Sequence, residues 1–431
     1  MQTEAGLAVF AIVVALYGGV GIALGRWSIT MPMVFVVVGS ALSASPLVQT
    51  GLSPSTEVVR LLAEVTLAVL LFADASTLSF GSVEHDASPP ARLLGIGLPL
   101  TLAVGALVAF ALFPAQGVAF ALLMASILAP TDAALGLPIF TNPKVPVRVR
   151  RALNVESGLN DGIATPFVTL FLALVVAEET AAYGGWLLSA VQQIGIAVLV
   201  GIAVGVLGGR LLVYAKRRGW TKGTPLQIAV LALALASYLV SVGLGGNGFV
   251  AAFVGGIAFS VGSRARLAEF AEYSETTGTL LSLGVWTLFG ALFVPRAIGS
   301  FEPQAILYAL LSLTVIRMLP VFIALRGLRL RLDTRLLMGW FGPRGLASIV
   351  FGLLAFGELT QGSVEAGLLA SVVTWTVLLS VLAHGLSAQP LAVWYSRQLA
   401  AESGDLPELE DVPEVVTHKG ELLGAPKRQR V

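Results

Sequence analysis

The stretch Ile194–Leu207, IGIAVLVGIAVGVL, sets the fold class, because it is apolar on every face whether wound into a helix or drawn out as a strand. A strand of a membrane barrel alternates lipid-facing and lumen-facing residues, and so would show a polar side chain at every second position. A helix satisfies its backbone hydrogen bonds internally and needs no polar face in lipid. At about 1.5 Å per residue, roughly twenty such residues cross a hydrocarbon core of about 30 Å. Runs of that kind recur from Gly6 to the neighbourhood of Leu391. Of the 431 residues, 56% are hydrophobic and 12% charged, with a mean hydropathy of +0.88, whereas a soluble domain is about one-quarter charged. The chain reads as an all-α integral membrane protein whose main partner is the lipid bilayer.

A formal net charge of +1, with no Lys/Arg cluster interleaved with aromatics, leaves no footprint for nucleic acid. With no cysteine, disulfides, thiolate metal sites and cysteine redox chemistry are excluded, and packing must supply the stability. The first hydrophobic run lacks a basic leader and a small-residue cleavage site, so it is read as a retained helix. No nucleophile–base motif or phosphate-binding loop stands out; neither an enzyme nor a bound cofactor is expected.

Hydropathy and chain breakers together predict about thirteen spans, near 5–24, 31–49, 56–76, 93–114, 117–139, 152–177, 186–214, 224–244, 247–262, 268–294, 302–325, 335–357 and 364–386. Basic residues fall in alternate loops: Arg26; Arg92; Lys144, Arg148, Arg150 and Arg151; Arg210, Lys216, Arg217, Arg218 and Lys222; Arg264 and Arg266; and Arg326, Arg329, Arg331 and Arg335. The intervening loops hold Arg296 and otherwise acids such as Glu178, Glu179, Glu358 and Glu365. One missed span would invert every later loop and spoil this alternation. The positive-inside rule then puts the N-terminus outside and the C-terminus in the cytoplasm. Residues 1–393 form the transmembrane unit, and 394–431 a polar cytoplasmic tail, read as flexible and as a candidate site for an unidentified regulator.

Two of the predicted spans are interrupted in comparable ways. The fifth carries Ala129-Pro130-Thr131-Asp132, and the twelfth Gly342-Pro343-Arg344-Gly345. Paired discontinuous helices are the best sequence pointer to a transporter's binding site. Ionisable groups at membrane depth cost several kcal/mol unless paired or wetted, and few occur here: Asp74, Asp132, Glu156, Asp161, Arg317 and Arg344. In Glu156-Ser157-Gly158-Leu159-Asn160-Asp161, Glu156/Asn160 and Ser157/Asp161 are each four apart, so the four polar side chains crowd one side of a helix.

A small hard cation wants oxygen ligands: a carboxylate to cancel its charge, with hydroxyls and carbonyls to replace its water. Asp161 and Ser157 supply the first two kinds. Pro130 removes a backbone donor and so frees carbonyls nearby, such as that of Thr131 or Ala129. Asp132 is placed near the positive end of the second half-helix, either compensating its dipole or joining the site, and Asn160 can bridge the two segments. A carboxylate stripped of water favours its protonated form, whereas a bound cation favours the charged one, so proton and cation compete for a single side chain.

These motifs resemble the cation/proton antiporter 1 family, the NhaP type of sodium/proton antiporter. The carriers are Pro130-Thr131-Asp132, Glu156 to Gly162, Gly246-Asn247-Gly248-Phe249-Val250-Ala251, Phe289-Gly290-Ala291 and Gly342-Pro343-Arg344-Gly345, spread from the fifth to the twelfth span. The resemblance implies thirteen helices in inverted repeats, a homodimer, a core domain around spans 4–6 and 11–13, and a dimerisation domain from the rest. It implies Asp161, Ser157 and Thr131 as ligands of a monovalent cation, with Asn160 the partner of Asp161 and Asp74 the family's third-span acid. Glu156 would pair with an arginine, Arg344 in preference to Arg317, the other core cation. An Asn-Asp rather than Asp-Asp pair goes in this family with electroneutral one-for-one exchange. Na+, or Li+ or K+, would be exchanged for H+ in the plasma membrane of a prokaryote.

Plainer readings compete at several positions. Glu64, four residues after Arg60, is read as an ion pair at a span's edge, and His85, His384 and His418 as solvated groups in loops or at a helix end. The glycines within spans are read as sites of close helix packing. The main functional alternative is a sodium-coupled symporter of an organic solute, which would need a larger cavity at the bilayer midplane.

Overall fold

The computed structural model describes residues 2–45, 57–77, 88–140, 142–179, 184–264, 266–360, 363–401 and 406–410, and among these there is no strand. His85, His418 and most of the polar tail lie outside them. The helices are α1 (Gln2–Arg26), α2 (Met31–Ala44), α3 (Glu57–Ser76), α4 (Ser88–Leu112), α5 (Gly117–Ile127), α6 (Ala133–Phe140), α7 (Val147–Glu179), α8 (Trp186–Arg217) and α9 (Thr224–Gly243). They continue as α10 (Gly248–Ser263), α11 (Ala271–Leu292), α12 (Val294–Gly299), α13 (Pro303–Leu313), α14 (Val315–Ala324), α15 (Leu332–Trp340), α16 (Leu346–Glu358) and α17 (Val364–Ala400). Among the described residues, eight helical stretches are long and apolar enough to cross a membrane, and shorter apolar helices lie between them. The chain is an integral membrane protein.

Packing divides most of these helices into two groups. In one, α2, α3, α8, α9, α10 and α11 lie against one another; in the other, α4 to α7 and α13 to α17 do. The seam between them is formed chiefly where α7 meets α3, α8 and α10 and where α16 meets α3 and α11. Glycine makes the tightest contacts within the first group. A Cβ at Gly39 of α2 would fall on the carbonyl of Thr287 in α11, and one at Gly290 of α11 on the carbonyl of Val36 in α2. Along α8, Gly201, Gly205 and Gly209 stand four apart and admit the backbone of α10 at Ala251, Gly255 and Phe259. In lipid, such close approach replaces the hydrophobic drive that water would supply.

Loops predicted to share one membrane face do meet. Arg92 donates to the carbonyl of Arg326 at 2.6 Å, and Lys216 pairs with Glu269 at 3.0 Å. At the opposite end Thr360 donates to Glu179 at 3.1 Å and Arg60 pairs with Glu358 at 3.3 Å.

The last helix continues past residue 393. α17 runs on to Ala400, about 55 Å in all, longer than a hydrocarbon core of about 30 Å. Residues 406–410 also depart from the flexible tail expected there. Glu408 is fully buried, accepting from the backbone N–H of Arg331 at 2.7 Å and from the Thr334 hydroxyl at 2.8 Å. Arg148 donates to the Pro407 carbonyl at 2.6 Å and pairs with Glu410 at 3.0 Å. The physical reason is that the exposed start of α15 has unpaired N–H groups that a carboxylate can cap.

Candidate functional site

The two interruptions predicted from Pro130 and Pro343 face each other. Residues 128–132 separate α5 from α6, and 341–345 separate α15 from α16. Each break exposes orphaned backbone groups, and each supplies groups to the other. Asp132 donates its N–H to the Pro343 carbonyl at 2.7 Å. Its carboxylate accepts from the N–H of Ala134 at 2.8 Å, at the start of α6, and from that of Leu346 at 3.0 Å, at the start of α16. In the reverse direction, Arg344 donates to the carbonyls of Ala129 and Pro130, at 2.6 and 3.2 Å, just beyond the C-terminal end of α5. A negative group thus sits at two helix N-termini and a positive one at a C-terminus, the arrangement helix dipoles favour. Asp132 is thus placed to compensate the dipoles of both half-helices.

α7 lies across this crossing. Ser157 donates to the Thr131 carbonyl at 2.6 Å, and the Asn160 amide donates to the Thr131 hydroxyl at 2.5 Å, so α7 grips the first break at one residue from both sides. Asn160 thus joins α7 to the first break. Thr165 donates to the carbonyl of Asp161 at 2.8 Å. Asp161, Ser157, Thr131, Asp132 and Asp74 all line one cavity of about 70 Å³, room for a few waters or for one small, partly hydrated ion. The Thr131 carbonyl oxygen, holding one hydrogen bond, keeps a second lone pair. The Ala129 carbonyl, named as an alternative ligand, accepts from Arg344, and Ala129 is not among the residues that line the cavity.

The pairing of Glu156 with Arg344 is overturned. Glu156 is held by Arg317 of α14 through two parallel bonds, Nη1 to Oε1 at 2.5 Å and Nη2 to Oε2 at 2.9 Å, and both side chains are 3% exposed. Arg344 is committed to the crossing, which leaves Arg317 as the guanidinium that can lie flat against the carboxylate. A Cβ at Gly342 would strike Arg317, so the glycine of the second break also makes room for this pair.

His384 is likewise corrected: far from solvated, it is fully buried within α17. Its Nε2 lies 2.8 Å from the Trp340 carbonyl at the end of α15, and its Nδ1 lies 3.3 Å from the Ser380 hydroxyl. Ser380 in turn accepts the Arg344 N–H at 2.7 Å. α17 thus holds both sides of the second break. Sequence reasoning also missed Thr279, Ser282 and Trp286 of α11, which line the cavity. Nothing in the sequence set the hydroxyls of Thr279 and Ser282 apart from those of Ser274, Thr276, Thr277 and Thr287 in the same span.

The transmembrane sodium/hydrogen exchanger profile matches residues 9–394. The chain belongs to the sodium/hydrogen exchanger family. Among relatives of this chain, the K(+)/H(+) antiporter NhaP of Alkalimonas amylolytica is 27% identical over 356 residues, covering 81% of this chain and 59% of that protein. A Na(+)/H(+) antiporter of Schizosaccharomyces pombe is 26% identical over 365 residues, covering 77% of this chain and 76% of the relative. The chain therefore spans about three-fifths of the NhaP relative's length. Among solved structures, the sodium proton antiporter MjNhaP1 from Methanocaldococcus jannaschii at pH 8 superposes with a TM-score of 0.71 at 20% identity, covering 91% of this chain and 99% of the other. The chain has that fold.

Proposed function

We propose that this protein is a secondary antiporter that exchanges Na+, or Li+ or K+, for H+ by competition at Asp161. The observation that carries the reading is that Asp161, Ser157 and Thr131 line one small cavity where the two interrupted helices cross. That cavity offers a carboxylate, a hydroxyl and the Thr131 oxygens at one point, the donor set of a hard monovalent cation. A proton on Asp161 and a cation beside it exclude each other by charge, and either one removes the cost of carrying a bare carboxylate through low-dielectric protein. Movement with the side chain charged and alone is disfavoured, which suppresses leak.

Asn160, whose amide nitrogen donates to Thr131, carries no charge, so one charge is exchanged for one and the cycle is electroneutral. The α4–α7 and α13–α17 group is the moving core, α2–α3 with α8–α11 the dimerisation domain, and the active form is a homodimer in a prokaryotic plasma membrane. The N-terminus faces outward and the C-terminus the cytoplasm. A cavity of about 70 Å³ is small for an organic solute, whose pockets run to about 300 Å³ or more, and this favours antiport over symport.

The deciding experiment uses purified protein in vesicles with an imposed pH gradient. Na+, K+ and Li+ are added in turn, and internal pH is followed with and without a voltage clamp. Cation-driven alkalinisation that the clamp does not alter is expected. Cation flux with no opposing proton flux would sink the reading.

A further inference from the structure

One wall of the cavity comes from outside the helices that cross at the site. Thr279 and Ser282, three apart on α11, line it together with Asp74, Ser157 and Asp161. The hydroxyl protons of both are already spent. Thr279 donates to the carbonyl of Glu275 at 2.9 Å, and Ser282 to that of Thr279 at 2.7 Å. Ser157, on the facing helix, spends its proton on the Thr131 carbonyl. A hydroxyl whose proton is committed offers its surroundings only lone pairs. Oxygens in acceptor orientation thus line the cavity from both α7 and α11, which suits a cation or a hydrogen-bond donor and disfavours an anion.

α11 belongs to the other packing group. It is seated on α2 through Gly39 and Gly290 and by the Ser40 hydroxyl, which donates to the Gly290 carbonyl at 2.9 Å. Across the seam, the end of the molecule away from the basic loops is tied by Arg60 to Glu358 at 3.3 Å and by Asn247 to Thr169 at 2.6 Å. The cavity lining instead takes in Asp74, Ala133 and Ala134, toward the basic loops.

Building on the antiport reading above, we infer that Thr279 and Ser282 are a cation subsite used from the basic-loop face alone. They help to dehydrate the ion in the state described here, and they stay with α11 when the core carries Asp161 to the other face. Cation affinity is set on one side by both walls and on the other side without this one.

The test is Thr279→Val with Ser282→Ala, assayed in vesicles of both orientations. Loss of ligand oxygens worth about 1 kcal/mol should raise the half-saturating Na+ concentration about fivefold at the basic-loop face. The opposite face and the maximal rate should stay within about twofold, a sidedness that general damage to the fold would not produce. Thr279→Ser with native Ser282 keeps both hydroxyls and should behave as the native protein; if the double variant is not recovered, Ser282→Ala alone should give a smaller shift of the same sidedness. Equal shifts at both faces, or none, overturn the inference while leaving antiport intact. Should native vesicles exchange nothing, antiport itself falls, and Na+-dependent thermal stabilisation in detergent judges the subsite. The double variant should then need more Na+ for half-maximal stabilisation, and an unchanged requirement rejects the subsite.

Discussion

Glu156 and Arg317 show how a membrane protein can keep charge inside itself. Both are 3% exposed, and the two parallel bonds between them replace the water each has lost. Such a pair contributes little net stability compared with a well-packed apolar one, but removing one partner strands the other, at about 3–5 kcal/mol. Glu156→Gln should therefore lower the thermal transition in detergent more than Glu156→Leu combined with Arg317→Leu, and a double variant less stable than the single one would contradict this account. Asp161 is different in kind. Asp161→Asn keeps its size and should fold with a native-like transition, yet cation-driven proton movement should vanish in vesicles. That contrast in outcome is what would separate a charge that holds the protein together from one used in transport. Sequence spacing exposed Asp161, Ser157 and Asn160 because i, i+4 neighbours are fixed by the helix itself. It misassigned the partner of Glu156, because two arginines in apolar surroundings look alike until one sees which is needed by the carbonyls of Ala129 and Pro130.

At the scale of elements, the crossing of the two breaks is built from backbone groups and depends on a missing side chain. A Cβ at Gly345 would land on the Asp132 carboxylate, which caps both α6 and α16. Gly345→Ala must push that carboxylate aside. It should cost about as much as Asp132→Ala, around 2 kcal/mol for two caps at about 1 kcal/mol each. Both variants should also weaken Na+-dependent thermal stabilisation, since Thr131 lies beside the displaced residue. Gly299→Ala, where a Cβ meets nothing within 4 Å, serves as the control and should leave both readings unchanged. The breaks were legible because proline lacks the donor that a continuous helix needs. The brace on the second break was not. His384 lay at the expected end of a span, and only the continuation of α17 to Ala400 buries it against Trp340. Thr279 and Ser282 were illegible for a related reason: their significance comes from a helix more than a hundred residues away.

Across the whole molecule, alternating access requires the seam to open at one end while it closes at the other. Away from the basic loops the seam is held by Asn247 on Thr169 and by Arg60, which also bonds Glu64 at 2.7 Å. Glu64 accepts further from the Tyr238 hydroxyl at 2.8 Å, so the Arg60 end of the bridge to Glu358 of α16 is anchored in two helices, α3 and α9. Arg60 and Glu358 are both well exposed, and the attraction between them alone is worth at most about 1 kcal/mol. That suits a latch that must part on each cycle. Neutralising it with Arg60→Gln should shift the balance toward the opposite state without unfolding the protein, seen as a lower half-saturating Na+ concentration at the face away from the basic loops. Locking it should stop the cycle. The native chain contains no cysteine, so Arg60→Cys with Glu358→Cys places two thiols with no background labelling. A short bifunctional reagent cleavable by thiols should then abolish exchange, and its cleavage should restore it. Each single-cysteine variant treated in the same way should keep its activity. Continued exchange by fully cross-linked protein would mean that this end of the seam does not open, and the moving core would have to be redrawn.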